Sequence, residues 1–185
     1  MSLLSDDFYT YDEFEAKRKQ TDKWLEFIDG TIFMAPSPNI RHQEIASFLH
    51  GELYQVFKGM KCKVFSAPTD VLFEEKNGQK NRVMPDLFVT CKTDQFTENE
   101  LLGPPEFIIE ILSPSNKSHV MVTKLNLYMN HGVQEYWIVD PMEKRVFVYF
   151  QEEKADIHFD LVEINGLLKS QLFSNVEIDT NELFS

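Results

Sequence analysis

The run Phe107-Ile-Ile-Glu-Ile-Leu112 limits what this chain can become more than any other stretch. It is apolar on both faces apart from one acid, the pattern of a strand buried on both sides. Alternate side chains of a strand share a face, so Glu110 stands in line with Ile108 and Leu112. A carboxylate in that setting must be compensated or take up a proton, because burying it charged and alone is costly. A divalent cation would compensate it, and so would a buried Lys or Arg. The competing reading is a strand at a sheet edge, with Glu110 reaching water.

The segment beyond this run reads as the rest of a βαβ unit. Ser113-Pro114-Ser115-Asn116 is a turn able to cap a helix running to about Asn130. His131-Gly132 ends that helix, and residues 136–139 form a second doubly apolar strand. Strand, helix and strand in this order call for parallel pairing and a right-handed crossover. Residues 145–150 add a strand after the Asp140-Pro141 turn. Upstream, Thr10 with Glu13 is a capping box opening a helix at residues 11–19. Asp29-Gly30, between the β-prone runs 23–28 and 31–35, signals a hairpin, and Pro36 and Pro38 then break the chain. Residues 40–58 carry Ile45, Leu49, Leu53 and Val56 at helical spacing, with Gly59 as the stop. Strands are expected at 62–67, 71–73 and 84–91, a loop at 74–82 turning at Asn77-Gly78, and a short helix within 93–102. The expectation is an α/β (α+β) fold, a mixed sheet flanked by helices with N-terminal hairpins, as one domain over residues 1–185.

Composition narrows the function classes. Sixteen phenylalanines and a 43% hydrophobic fraction can fill a core, which argues against a disordered chain. No run approaches the ~18 apolar residues of a membrane span. The acid-bearing N-terminus reads as no secretory signal. Cys62 and Cys91 have no metal-binding spacing and read as ordinary buried thiols of a reduced cytoplasm. The net charge of −12 opposes loose, sequence-independent nucleic-acid binding. The basic cluster Lys17, Arg18, Lys19 and Lys23 reads as a solvated helix end.

Further residues carry alternative readings. Asp86 stands after Pro85 at the mouth of an apolar strand, facing either solvent or a site, and Asp70 stands similarly before Val71. Lys124 shares a helical face with Val120, Leu127 and Tyr128, and either snorkels to water or points into a polar pocket. His42 lies on the Ile45/Leu49 stripe, where a satisfied rim histidine is the simpler reading, and Glu44 lies off that stripe. Ser113 has no Gly-x-Ser-x-Gly elbow and suits a helix cap rather than a nucleophile.

Four ordered segments carry a resemblance: Met84-Pro-Asp-Leu-Phe-Val-Thr-Cys91, Pro105-Glu-Phe-Ile-Ile-Glu-Ile-Leu-Ser-Pro-Ser115, Lys124-Leu-Asn-Leu-Tyr128 and Gly132-Val-Gln-Glu-Tyr-Trp-Ile-Val-Asp-Pro141. With Glu26-Phe-Ile-Asp-Gly30, Met34-Ala-Pro36, His42, Ala67-Pro-Thr-Asp-Val-Leu72 and the tail 170–184, the chain resembles the Uma family of restriction-endonuclease-like proteins. These belong to the PD-(D/E)xK nuclease superfamily. The resemblance implies two acids on neighbouring strands holding Mg²⁺ or Mn²⁺, here Asp86 and Glu110, with the Ile111 carbonyl as a further ligand. It implies Lys124 beside the attacking water and Asp70 as an extra ligand or supporting group. His42 matches a family position, with Glu44 near it. Leu112 stands where the superfamily motif has its lysine, and Val120 where many members have an Asp. The implied activity is phosphodiester hydrolysis of DNA, with a homodimer as the implied assembly. The rival readings are a binding module without catalysis on the same fold, favoured by Val120 and the acidic charge, and a metal-dependent hydrolase of another substrate.

Overall fold

The computed structural model describes residues 2–3, 8–35, 38–114, 119–152 and 156–185. Pro36, the Ser115-Asn116 part of the expected helix cap and the side chain of Val120 fall outside that description. In chain order, β1 (Ser2–Leu3) precedes α1 (Tyr11–Arg18). The α1 start is the expected capping box: Thr10 N–H donates to the Glu13 carboxylate at 2.7 Å, and Glu13 N–H donates to the Thr10 hydroxyl at 3.3 Å. β2 (Leu25–Ile28) and β3 (Thr31–Met34) form the expected hairpin. Asp29 and Gly30 both take positive φ, 48° and 79°, which a two-residue primed turn requires. α2 (Ile40–Phe57) begins at Asn39, whose side chain accepts the His42 N–H, and stops before Gly59 at φ 79°.

The middle of the chain supplies β4 (Lys63–Ser66), β5 (Asp70–Glu74), β6 (Lys80–Val83), β7 (Leu87–Thr90), β8 (Glu100–Leu102) and β9 (Phe107–Ile111). A π-helical turn (His119–Lys124) runs into α3 (Leu125–Asn130). β10 (Glu135–Asp140), β11 (Arg145–Phe150), β12 (His158–Glu163), β13 (Leu167–Lys169), β14 (Glu177–Asp179) and α4 (Thr180–Leu183) complete it.

Among the described residues these strands form two six-stranded sheets and one small pair. The order is β1-β3-β2-β6-β5-β8 in the first and β12-β11-β10-β9-β7-β4 in the second. β9 and β10 pair in parallel, as the βαβ reading requires, while β7 runs antiparallel to β9. The N-terminal hairpin thus joins a sheet of its own with β5, β6 and β8 rather than extending the central sheet. β9 explains how the layers stack. Phe107, Ile109 and Ile111 face α2 in one core, with Leu49, Leu53 and Trp137. Ile108 and Leu112 face α3 and the first sheet in the other, with Tyr128, Val71 and Val83. The even-numbered side of β9, which bears Glu110, is therefore sandwiched between elements from both halves of the chain.

Three local expectations are corrected. Residues 80–83 are a strand and not part of a loop; the buried Asn81, whose Oδ1 accepts the Asp29 N–H at 2.7 Å, hides the period-two pattern behind a polar side chain. Residues 93–102 hold only a 3₁₀ turn (Thr93–Gln95) before β8, because Leu101 is drawn into the core. The two cysteines are not free thiols: Lys63 pairs with Thr90 across β4 and β7, so the next residues outward, Cys62 and Cys91, meet and form a disulfide. Titration of the native, unreduced protein with a thiol reagent is expected to find no reactive cysteine, and two after reduction and unfolding. Two thiols in the native protein would overturn the pairing.

Candidate functional site

β9 lies between β7 and β10, so the sheet-edge reading of Glu110 fails; the residue is 2% exposed. In the antiparallel β7–β9 register Leu87 stands opposite Ile109, which brings the preceding residue, Asp86, across from Glu110. Lys124 also leaves one of its alternatives behind. It does not snorkel but is 2% exposed, and its Nζ donates to Glu110 Oε1 at 2.7 Å. One helical turn later the Tyr128 hydroxyl donates to the same oxygen at 2.8 Å. The two side chains approach Glu110 together because the π turn and α3 lie over the even-numbered face of β9.

Lys124 has a second carboxylate partner that sequence reasoning did not assign to the site. Glu26 Oε1 lies 2.9 Å from Lys124 Nζ and accepts the Met84 N–H at 2.8 Å. Glu26 is 1% exposed within a strand whose four residues are all buried. The signal that exposes Glu110, an acid inside an apolar strand, is present in Leu25-Glu26-Phe27-Ile28 as well. His119 Nε2 is 3.8 Å from Glu26 Oε2, an ion-pair distance rather than a hydrogen bond.

Asp86 is fixed from two sides. Its Oδ2 accepts the Ile111 N–H at 2.7 Å and lies 3.1 Å from His42 Nε2. His42 thus reaches the site from the first turn of α2, although it also belongs to that helix's buried stripe. Burial opposes charging His42, but hydrogen bonding and attraction from Asp86 outweigh it, so the imidazole titrates above its ordinary range.

The buried charges do not balance evenly. Desolvation pushes the Glu110 carboxyl up to about 8 despite Lys124, with the neighbouring charges of Asp86 and Glu26 adding to the rise. For Glu26 burial is again the largest influence and pushes upward, but the Lys124 ammonium, His119 and the Met84 N–H together outweigh it, and the carboxyl titrates below its usual range. Lys124 would be lowered by burial; Glu110 and Glu26 outweigh this and raise it. Lys124 therefore sits charged between two buried acids, of which Glu26 is held as the anion and Glu110 is the more readily protonated.

Asp86, Glu110, Lys124, Glu26 and His42 line one cavity of about 220 Å³, with Trp24, Ala35, Pro38 and Pro68 among the residues of its rim. The donor chemistry at its floor fits a small hard cation. Two carboxylates and the Ile111 main chain meet at one end of neighbouring strands, and Mg²⁺ commonly takes one or two carboxylates and keeps several waters. Among the described residues no group of three or more His, Cys, Asp or Glu side chains is arranged as a ready-made cage. Asp70 and Glu44 are not brought to this floor. Asp70 Oδ2 is held by Arg18 and by Arg82, the latter at 3.2 Å, which also takes Arg18 out of the solvated basic cluster. Glu44 is exposed and pairs with Arg41 at 3.3 Å.

Residues 8–180 match the model of the Uma2 family, described as "Putative restriction endonuclease". An uncharacterized protein of Synechocystis sp. is 25% identical over 132 residues, 71% of this chain and 68% of that protein. The crystal structure of a protein from Anabaena variabilis, described as "a putative nuclease belonging to DUF820", superposes with a TM-score of 0.73 at 24% identity, covering 89% of this chain and 91% of the other. At that identity the likeness shows a shared fold, the restriction-endonuclease-like one.

Proposed function

The chain belongs to the Uma2 family, and on that premise we propose that it is a nuclease that hydrolyses phosphodiester bonds of DNA with a divalent cation, Mg²⁺ or Mn²⁺, held at Asp86, Glu110 and the Ile111 carbonyl. The observation that carries this reading is the meeting of Asp86 and Glu110 beside Lys124 on the floor of one cavity. A cation bound there would supply Lewis-acid polarisation of the phosphoryl oxygen and activation of water. The Ile111 N–H and His42 hold Asp86 in one rotamer. Tyr128 and Lys124 do the same for Glu110. Lys124 places positive charge where negative charge grows on the phosphate during attack. Glu26 acts as a positioning residue, keeping Lys124 charged and directed at the floor. The nuclease is tested with single- and double-stranded DNA: cleavage requires Mg²⁺ or Mn²⁺, stops on chelation, and is lost in Asp86→Ala. Equal cleavage by wild type and Asp86→Ala overturns the assignment.

The raised Glu110 carboxyl gives this reading a pH signature. A cation needs the ionised group, so binding displaces its proton. Below about pH 8 the apparent affinity for Mn²⁺ should rise by about one order of magnitude per pH unit and level off above it. Calorimetry across this range checks the slope; affinity flat from about pH 6 to about pH 8 would show that the cation displaces no proton from Glu110.

A second reading has its own observation. Lys124 bridges Glu26 and Glu110, so the buried acids have a cation within the protein itself. That arrangement suits a binding module whose triad only supports the fold. Specific Mn²⁺ uptake that disappears in Asp86→Ala excludes it.

A further inference from the structure

The chain has two tryptophans, and they are treated in opposite ways. Trp137 is fully buried, and its indole N–H donates to Glu135 at 2.6 Å. Trp24 is 52% exposed. It stands immediately before β2, two positions from Glu26, and residues so spaced share a face of a strand. Both accordingly line the same cavity, Glu26 at the floor and Trp24 at the mouth. Large rings contribute most when their faces are covered, so a half-open indole at the mouth of a charged cavity leaves a flat apolar surface to fill. The rim beside it, Ala35, Pro38, Ala67 and Pro68, has no charged side chain with which to grip a phosphate. Lys23, next to Trp24 in sequence, is exposed, as is Lys19, and these cations lie in a chain whose net charge is −12.

We propose that the Trp24 indole is the stacking seat for an unpaired base of the strand whose phosphodiester reaches Asp86 and Glu110. Single-stranded DNA is thereby the substrate class. This inference rests on the nuclease reading of the cavity floor. In a duplex both faces of each base are covered by its neighbours, so the indole gains a partner only from an unstacked nucleotide. Stacking also provides affinity that does not depend on a long basic groove, which reconciles an acidic protein with a polyanionic ligand. Lys23 and Lys19 serve the phosphates flanking the stacked base.

The buried Trp137 makes emission from Trp24 the natural reporter. Metal-free protein is titrated with an oligothymidylate of about 12 nucleotides, with a strand of abasic tetrahydrofuran units of the same length and with a blunt duplex. Oligothymidylate should quench Trp24 and shield it from acrylamide, and the abasic strand and the duplex should bind more weakly. Trp24→Ala should weaken oligothymidylate binding about 5- to 150-fold and leave abasic binding unchanged, with Trp24→Phe recovering most of the loss. Equal affinity for the thymidylate and abasic strands, an unchanged Trp24→Ala, or no quenching overturns the stacking seat. The floor is judged separately. Mg²⁺-dependent cleavage of the abasic strand by wild type but not by Glu110→Gln sustains the nuclease reading whatever the indole does, and cleavage of neither strand removes it.

Discussion

Glu110→Gln is expected to lower Mg²⁺-dependent DNA cleavage by more than about 100-fold while leaving the protein folded. The lower bound holds because even groups that only support a metal ligand cost about 10- to 100-fold when removed, and Glu110 is proposed as a ligand itself. Retention of the fold comes from the electrostatics. Burial pushes the Glu110 carboxyl upward, toward its neutral form, so a neutral amide of the same shape is accommodated at this position. Lys124 keeps Glu26 at 2.9 Å, and the Tyr128 hydroxyl can still donate to an amide oxygen. The stability cost is about 1 kcal/mol, a shift of about 2–4 °C in Tm. Cleavage within about threefold of wild type would remove Glu110 from the chemistry. Lost cleavage together with an unfolded protein would instead show the residue to be structural.

Lys124→Met is expected to produce the largest loss of stability, about 3–5 kcal/mol, or about 6–20 °C in Tm. The substitution keeps the apolar stem and deletes the cation that pairs with Glu26 at 2.9 Å and with Glu110 at 2.7 Å. Glu110 absorbs the change by protonation; Glu26 carries the penalty, because Lys124 is the strongest of the groups that hold it below its usual range in the wild type. The pH dependence has a definite sign. A carboxyl depressed in the folded state stabilises above its unfolded pKa and loses that contribution as pH falls through the folded value. Wild type therefore loses this contribution only in acid. In Lys124→Met the unpaired Glu26 carboxyl rises instead, and the deficit against wild type narrows as pH falls toward the ordinary carboxylate range. Adding Glu26→Gln should return much of the lost stability without restoring cleavage. Thermal melts of the single and double variants from about pH 5 to about pH 8 read out both effects, and a single-variant shift below about 2 °C would show that the triad contributes little.

Sequence reasoning reached Glu110 and its strand because the signal is local: an acid at the centre of an apolar run must be accounted for wherever the chain goes. It placed the βαβ unit, the Asp29-Gly30 hairpin and the Thr10 cap for the same reason, since period, turn chemistry and capping act within a few residues. Asp86 and Lys124 were reached through the family resemblance, because each admitted a solvent-facing reading on its own pattern. Asp70 shows the limit. Its setting before an apolar strand resembles that of Asp86, yet β5 lies in the other sheet, where Arg18 and Arg82 claim its carboxylate. Asn81 and Cys62 fail similarly, one by burying a polar side chain in a strand and the other by meeting Cys91 across two strands.

The sequence by itself determined that one carboxylate would be enclosed in an apolar sheet and that a helix would cross between the parallel strands flanking that enclosure. Only the tertiary structure decided which groups would share the enclosure. It brought Glu26 from the N-terminal sheet and Lys124 from the crossover helix to the same oxygen environment, and it sent Asp70 elsewhere. The physical reason is range. Side-chain periodicity fixes which way a residue faces within its own element, whereas the partner of a buried charge is set by how two sheets and a helix stack.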